Sequence, residues 1–220
     1  TMIFSGRNLV KYPYSRYGYT RGGGKTWHGG IDVCGIDDDK IRMPGYNGKS
    51  IAGTVVTARI VTNKSNKTWE WGYYICVKLD ANQTPDAVNY LYFCHCSKLL
   101  ASVGQKVKTG DVLAVVGQTG NAAGTWTHCH FEVRATATSK GLDPSAYAAI
   151  PNNAGIYGTA PAAEKPVEVP VSSNEKTAVS ALQNITVGPV SSGDAAAVVA
   201  VCKEHGTAAD SYTNAENHLQ

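Results

Sequence analysis

The sequence predicts a mainly β chain, with an antiparallel β domain over residues 1–150 followed by a small C-terminal β-α-β unit. Three observations carry this. Residues 1 to about 150 are rich in Gly, Thr, Val, Ile and aromatic residues and hold few stretches of helical period. Their short apolar runs recur between Gly, Asn, Asp and Pro turns, at the spacing of hairpins rather than of βαβ units. From Ala154 to about Lys176 the composition shifts to Pro, Ala, Glu, Val and Ser, as in a solvated, partly extended linker.

Taken in order, the expected strands are 50–57, 73–79, 88–95, 112–116 and 128–135, each bounded by turn residues. Residues 151–176 form the linker. In the accessory unit, 177–220, residues 183–190 read as a strand, and Ser192, Gly193 and Asp194 open a helix. That helix places Ala195, Val198, Val199 and Cys202 on one stripe at i, i+3, i+4 and i+7, with Gly206 as its C-terminal stop. Residues 211–213 start a further strand. A unit of roughly 45 residues buries too little surface to stand alone, so it is expected to pack on the first domain, on a partner or on a second copy.

A chain of 220 residues with 43% hydrophobic and 17% charged residues can bury one good core and a second small one, which excludes a wholly disordered protein. The net charge of +3 is too small to point to a nucleic-acid partner. Charge is unevenly spread: residues 1–150 carry 17 Lys and Arg against 10 Asp and Glu, whereas residues 151–220 carry 3 against 7. A cationic body with an acidic tail suits an anionic polymer substrate. No apolar run approaches the ~18 residues that cross a bilayer, and Thr1, Met2, Ile3 and Phe4 do not begin the charged, apolar and small-residue succession of a signal peptide. The six Cys (Cys34, Cys76, Cys94, Cys96, Cys129 and Cys202) form no CxxC pair and no regular spacing, which argues against disulfides or a zinc ribbon, and most are expected as small buried hydrophobes.

Four of the six His fall in the first domain, and their neighbours are informative. His28 and Asp32 are four residues apart in His28-Gly29-Gly30-Ile31-Asp32, where two glycines favour a turn entering a strand that lets imidazole and carboxylate converge. His128 and His130 stand at i and i+2 of a β-like run and so project to one side, with Cys129 towards the core. His95 lies in another such run, with Cys94 and Cys96 expected on the side opposite its imidazole. A catalytic zinc needs three protein ligands and one open position, and His28, Asp32 and one of His128 and His130 supply that set. The two remaining imidazoles are then free for proton transfer or electrostatic stabilisation. No HExxH occurs, so a glutamate base on a helix is not the design.

These motifs, in this order, resemble the lysostaphin/LytM-type zinc endopeptidases of bacterial peptidoglycan. The resemblance runs from Tyr14 to Ile150, through Ser15-Arg16-Tyr17-Gly18-Tyr19, His28-Gly-Gly-Ile-Asp32, Gly48 to Val55 and Leu91 to His95. It continues through Val103 to Leu113, Val116-Gly-Gln-Thr-Gly120, His128-Cys-His-Phe-Glu-Val133 and Leu142-Asp-Pro144. It implies a duplicated-hybrid-motif-like antiparallel β metallopeptidase domain with a groove over a large sheet. It makes His28, Asp32 and His130 the ligands of one Zn2+ per chain, and His95 and His128 the catalytic imidazoles. Two departures stand out: Phe93 where the family usually has Tyr, and Cys96 and Cys129 where it has apolar residues.

The activity so implied is hydrolysis of peptide bonds in peptidoglycan stems or cross-bridges, in the cell wall or outside the cell, by a secreted hydrolase or a phage lysin. The alternative is a catalytically inactive relative that binds wall or activates another hydrolase. A lipoyl- or biotinyl-like carrier is a third reading, since Val103 to Leu113 recurs in such hairpins, but no modification lysine motif is present and the His/Asp set would go unused. Trp27, Trp69, Trp71, Tyr73 and Trp126 are candidates to wall a peptide groove, though most aromatics of a β domain are expected in packing roles. Asp37, Asp38 and Asp39 read as a solvated loop. The accessory unit faintly resembles half of a SPOR-like repeat, which would give it a wall-binding or dimerising role.

Overall fold

Strand-forming runs of Val, Ile, Tyr and Thr, cut by Gly and Asn turns, build an almost entirely β domain in the computed structural model, which describes residues 1–161. The accessory unit expected at 177–220 and residues 162–176 of the expected linker lie outside the described residues, whereas residues 155–157 of that expected linker form a strand paired with 8–10. The strands are β1 (Asn8–Val10), β2 (Gly18–Arg21), β3 (Thr26–His28), β4 (Ile31–Gly35), β5 (Lys40–Arg42), β6 (Ala52–Ile60) and β7 (Tyr73–Leu79). They continue with β8 (Tyr90–Leu99), β9 (Lys106–Lys108), β10 (Val112–Val116), β11 (Cys129–Arg134), β12 (Gly141–Leu142) and β13 (Gly155–Tyr157). Short 3-10 turns lie at Trp69–Trp71 and Gly120–Ala122, and Ser145–Ala148 forms a single helical turn. The five expected strands correspond to β6, β7, β8, β10 and β11.

Eleven strands form one sheet in the order β13-β1-β4-β11-β8-β7-β6-β9, with β10 pairing β5 and β8 and with β12 pairing β11. Every pairing is antiparallel. The hairpin β2–β3 stands apart as a two-stranded ribbon. The central strand β11 has β8 along one edge, while β4 and then β12 share the other.

Alternation on β11 divides its side chains. Cys129, Phe131 and Val133 enter the main core with Ile31, Val33, Leu91 and Phe93, and the Phe93 and Phe131 rings lie 5.1 Å apart. Full burial of each large apolar side chain contributes roughly 1.5–3 kcal/mol. His130 and Glu132 take the opposite face and are buried as well, with Gly29 and Gly141 packed against the Glu132 carboxylate. The close approach of β4 to β11 depends on Gly30, where a Cβ would meet the Phe131 carbonyl oxygen.

One strand departs from simple alternation. Between the pairs Ile75↔Phe93 and Tyr73↔Cys96, β8 holds one residue more than β7, and His95 in that bulge has a left-handed φ of 64°. The expectation that Cys94 and Cys96 share the side opposite the His95 imidazole is therefore corrected. Cys96 lies in the main core, but Cys94 joins a separate apolar cluster with Val61, Tyr74, Cys76 and Tyr92. The extra residue switches the faces after Cys94, so two cysteines at i and i+2 end on opposite sides.

Candidate metal centre and active site

Antiparallel pairing sets His130 directly opposite Asp32, and the β3–β4 turn through Gly29 and Gly30 returns His28 to the same spot. The result is a triangle of donor atoms. His28 Nε2 lies 3.0 Å from His130 Nδ1 and 3.1 Å from Asp32 Oδ1, and His130 Nδ1 lies 3.0 Å from Asp32 Oδ1. A tetrahedral zinc with ligands at about 2.0–2.1 Å requires ligand separations of about 3.3 Å, so this donor set fits such an ion. It is the group of potential metal ligands that converges among the described residues.

His128 and His95 stand beside the triangle. His128 Nε2 lies 3.8 Å from Asp32 Oδ1, and the His95 and His128 rings are 4.9 Å apart. The structure thus gathers His28, Asp32, His95, His128 and His130 on one face. Each imidazole is oriented by its other nitrogen. Nδ1–H of His28 donates to the Arg16 carbonyl at 2.7 Å, that of His95 to Thr119 at 2.9 Å and that of His128 to Trp126 at 2.8 Å. Those acceptors leave the Nε2 lone pairs facing the groove. His130 is turned the other way, with Nε2 3.4 Å from Glu132 Oε2 and Nδ1 towards the triangle.

Burial and neighbouring charge set the proton positions in the metal-free protein. Burial, aided by His130 and His128, pushes the His95 pKa down to about 3, and burial also lowers His28 and His128. Burial opposes the charge of His130 too, but hydrogen bonds and attraction from Asp32 and Glu132 outweigh it and raise its pKa to about 9. Asp32 is held well below the usual carboxylate range, its desolvation being outweighed by His130 and His28. A proton on His130 Nδ1 thus occupies the centre that a cation would take.

Residues beyond the five predicted ones complete the site. Arg21 of β2 places Nη2 2.9 Å from Asp32 Oδ2, the oxygen turned away from the triangle. Arg134 Nε bonds Glu132 Oε1 at 2.9 Å, and its guanidinium packs over Trp71 and Tyr92. Glu132 follows His130 by two residues on one strand, so period-two alternation was the signal that it shares the site's face. Arg21 gives no such signal, since the pairing of a separate hairpin with the sheet residues cannot be read locally.

The cavity over these residues has a volume of about 750 Å³. Trp27, Trp71 and Trp126 line it, and Trp126 stacks on His128 with ring centroids 4.2 Å apart. Trp69 packs against the smaller apolar cluster and Tyr73 against the main core. Asp37, Asp38 and Asp39 face Arg7, Arg42 and Lys40 in separate ion pairs.

Residues 43–144 match the model of Peptidase family M23. Those residues carry an M23, LytM-type peptidase domain. His95, His128 and His130 fall within the matched residues of the M23 domain, while His28 and Asp32 precede them and join through the β4–β11 pairing. Among solved structures, the M23 domain is similar to the catalytic domain of lysostaphin from Staphylococcus simulans. That match has 25% identity, covers 60% of this chain and 86% of the other, and has a TM-score of 0.43. It is also similar to a variant of the prophage-encoded M23 protein EnpA from Enterococcus faecalis, with 23% identity, 63% and 91% coverage and a TM-score of 0.45. A third similar structure is the SpoIIQ–SpoIIIAH pore-forming complex, with 20% identity, 67% and 89% coverage and a TM-score of 0.45. The departures from the family pattern, Phe93, Cys96 and Cys129, all sit in the main core of the M23 domain, on the side of the sheet away from the imidazoles. Among the described residues, no helix is long and apolar enough to cross a membrane.

Proposed function

We propose that this M23 chain is a zinc-dependent endopeptidase that hydrolyses peptide bonds in the stems or cross-bridges of bacterial peptidoglycan, acting in the cell wall or outside the cell. The observation that carries the reading is the donor triangle of His28, Asp32 and His130, flanked by two further imidazoles with their Nε2 atoms directed into the same groove. His28 through Nε2, Asp32 through Oδ1 and His130 through Nδ1 would hold the ion. Bound there, zinc supplies Lewis acidity towards the scissile carbonyl and lowers the pKa of water towards ~7.

The chain's own groups account for the proton transfers and for positioning. The neutral Nε2 atoms of His95 and His128 are free to accept a proton from the attacking water. Once protonated, the same atoms donate to the developing oxyanion or to the leaving amine. The carbonyls of Thr119 and Trp126 keep both rings in the required tautomer. Arg21 holds Asp32 through the oxygen that faces away from the metal position, and Glu132 does the same for His130 through Nε2. Trp27, Trp71 and Trp126 offer flat walls to an extended peptide.

The test is digestion of purified peptidoglycan by the full chain with zinc and with a chelator, followed by mass analysis of released fragments. Zinc-dependent appearance of new amino and carboxyl termini is expected, and the fragment masses name the bond. Wall binding without any new termini would replace this reading with that of an inactive wall-binding relative.

A further inference from the structure

The charges lining the groove do not all cancel. Asp32 is paired with Arg21, and Glu132 with Arg134, within the cavity floor. Two lining residues, Lys140 and Glu70, have no oppositely charged partner within ion-pair distance among the described residues. Sheet order separates them. Lys140 immediately precedes β12, which lies along the β4 edge of β11, whereas Glu70 lies in the 3-10 turn between β6 and β7, beyond the β8 edge. The donor triangle of β3, β4 and β11 and the two spare imidazoles lie between these flanks.

Lys140 is mounted on an aromatic wall, and Glu70 on a turn held in place by its backbone. Lys140 Nζ lies 3.4 Å from the Trp27 ring centroid and 5.5 Å from that of Tyr19, a cation–π contact that limits where the ammonium can go. Glu70 stands between Trp69 and Trp71, and the turn is fixed against Gly120, where a Cβ would collide with the Glu70 carbonyl. One flank therefore presents a held cation, and the other an exposed acidic residue.

We propose that the groove selects a peptide carrying opposite charges on the two sides of the bond at the metal position, a carboxylate towards Lys140 and an ammonium towards Glu70. The proposal rests on the peptidase reading above and sharpens its substrate to a zwitterionic peptide rather than an uncharged, glycine-rich one. The pair fixes which end of the peptide enters which side of the groove. Both contacts are solvent-facing, so selectivity is modest for each and weakens as salt rises.

The test is calorimetric binding of four hexapeptides, acetylated and amidated at their ends, to the full chain, in zinc and again in EDTA. One carries glutamate then lysine, one lysine then glutamate, one two glutamines, and the last is hexaglycine. One charged isomer is expected to bind about five- to tenfold more tightly than the other three. Lys140→Gln and Glu70→Gln should each remove part of that preference, and the combined Lys140→Glu, Glu70→Lys chain should favour the opposite isomer. Equal binding of all four peptides, or an unchanged preference in the charge-swapped chain, overturns the proposal. Because the ordering is read in EDTA as well, a protein that ranks the peptides but releases no wall fragments refutes the peptidase reading alone. One that releases fragments but ranks the peptides equally refutes this inference alone.

Discussion

Replacing Glu132 with glutamine tests whether the metal centre is built from three residues or from the chain behind them. The carboxylate is 3% exposed, with Oε2 3.4 Å from His130 Nε2 and Oε1 2.9 Å from Arg134 Nε. Both neighbours are donors in the metal-bound protein. A carboxamide has one acceptor, so in either orientation its NH2 group confronts one of them. The space offers no escape, because a Cβ at Gly29 or Gly141 would already collide with Glu132 Oε1. Loss of an orienting partner for a metal-bound imidazole weakens metal affinity about 10- to 100-fold, or about 1.4–2.7 kcal/mol. The assay is competition for zinc between the full chain and a chromophoric chelator at pH 8. Circular dichroism of the metal-free protein separates folding from binding. A zinc affinity within about twofold of the parent chain would refute the argument that the carboxylate orients His130.

Three further outcomes are expected. His130→Ala should lose both stoichiometric zinc and hydrolysis, whereas His95→Ala should keep zinc by elemental analysis and lose hydrolysis, and retained hydrolysis in either variant refutes the assignment. In the metal-free chain His130 titrates at about 9, so zinc must displace its proton. Affinity should then fall by about tenfold per pH unit below that value, and more steeply below the unfolded histidine range, when His28 also competes for protons; a flat profile between pH 6 and 8 in the chelator assay contradicts this. Burial raises the Cys76 and Cys96 thiol pKa values to about 12 and that of Cys34 to about 11, so these thiols stay protonated at pH 8. In a Cys202→Ser chain, alkylation at that pH should be slow until denaturant is added, as followed by mass spectrometry.

Much of the centre is legible along the chain because its chemistry is local. His128 and His130 share a face by strand alternation, His28 and Asp32 converge through Gly29 and Gly30, and composition marks a β domain. The same alternation fails at Cys94, His95 and Cys96, because a bulge inserts a residue that only the register against β7 reveals. Arg21 and Lys140 carry no sequence signal of a site role. A lone cation has no local signature, and its role depends on the neighbour that folding brings to it.

By itself, the sequence determined the strand-rich character of the first domain, the five residues that gather at the centre and the burial of Cys76, Cys94, Cys96 and Cys129 as free thiols, while Cys34 is only half-buried. Those features follow from side-chain type and from short-range period. Tertiary structure alone decided that Asp32 faces His130 across β4 and β11, that Glu132 and Arg21 bond His130 and Asp32 from outside the triangle, and that Lys140 and Glu70 flank the groove without ion-pair partners among the described residues. Each of these depends on a contact between segments distant in the chain, set by strand pairing over one buried core.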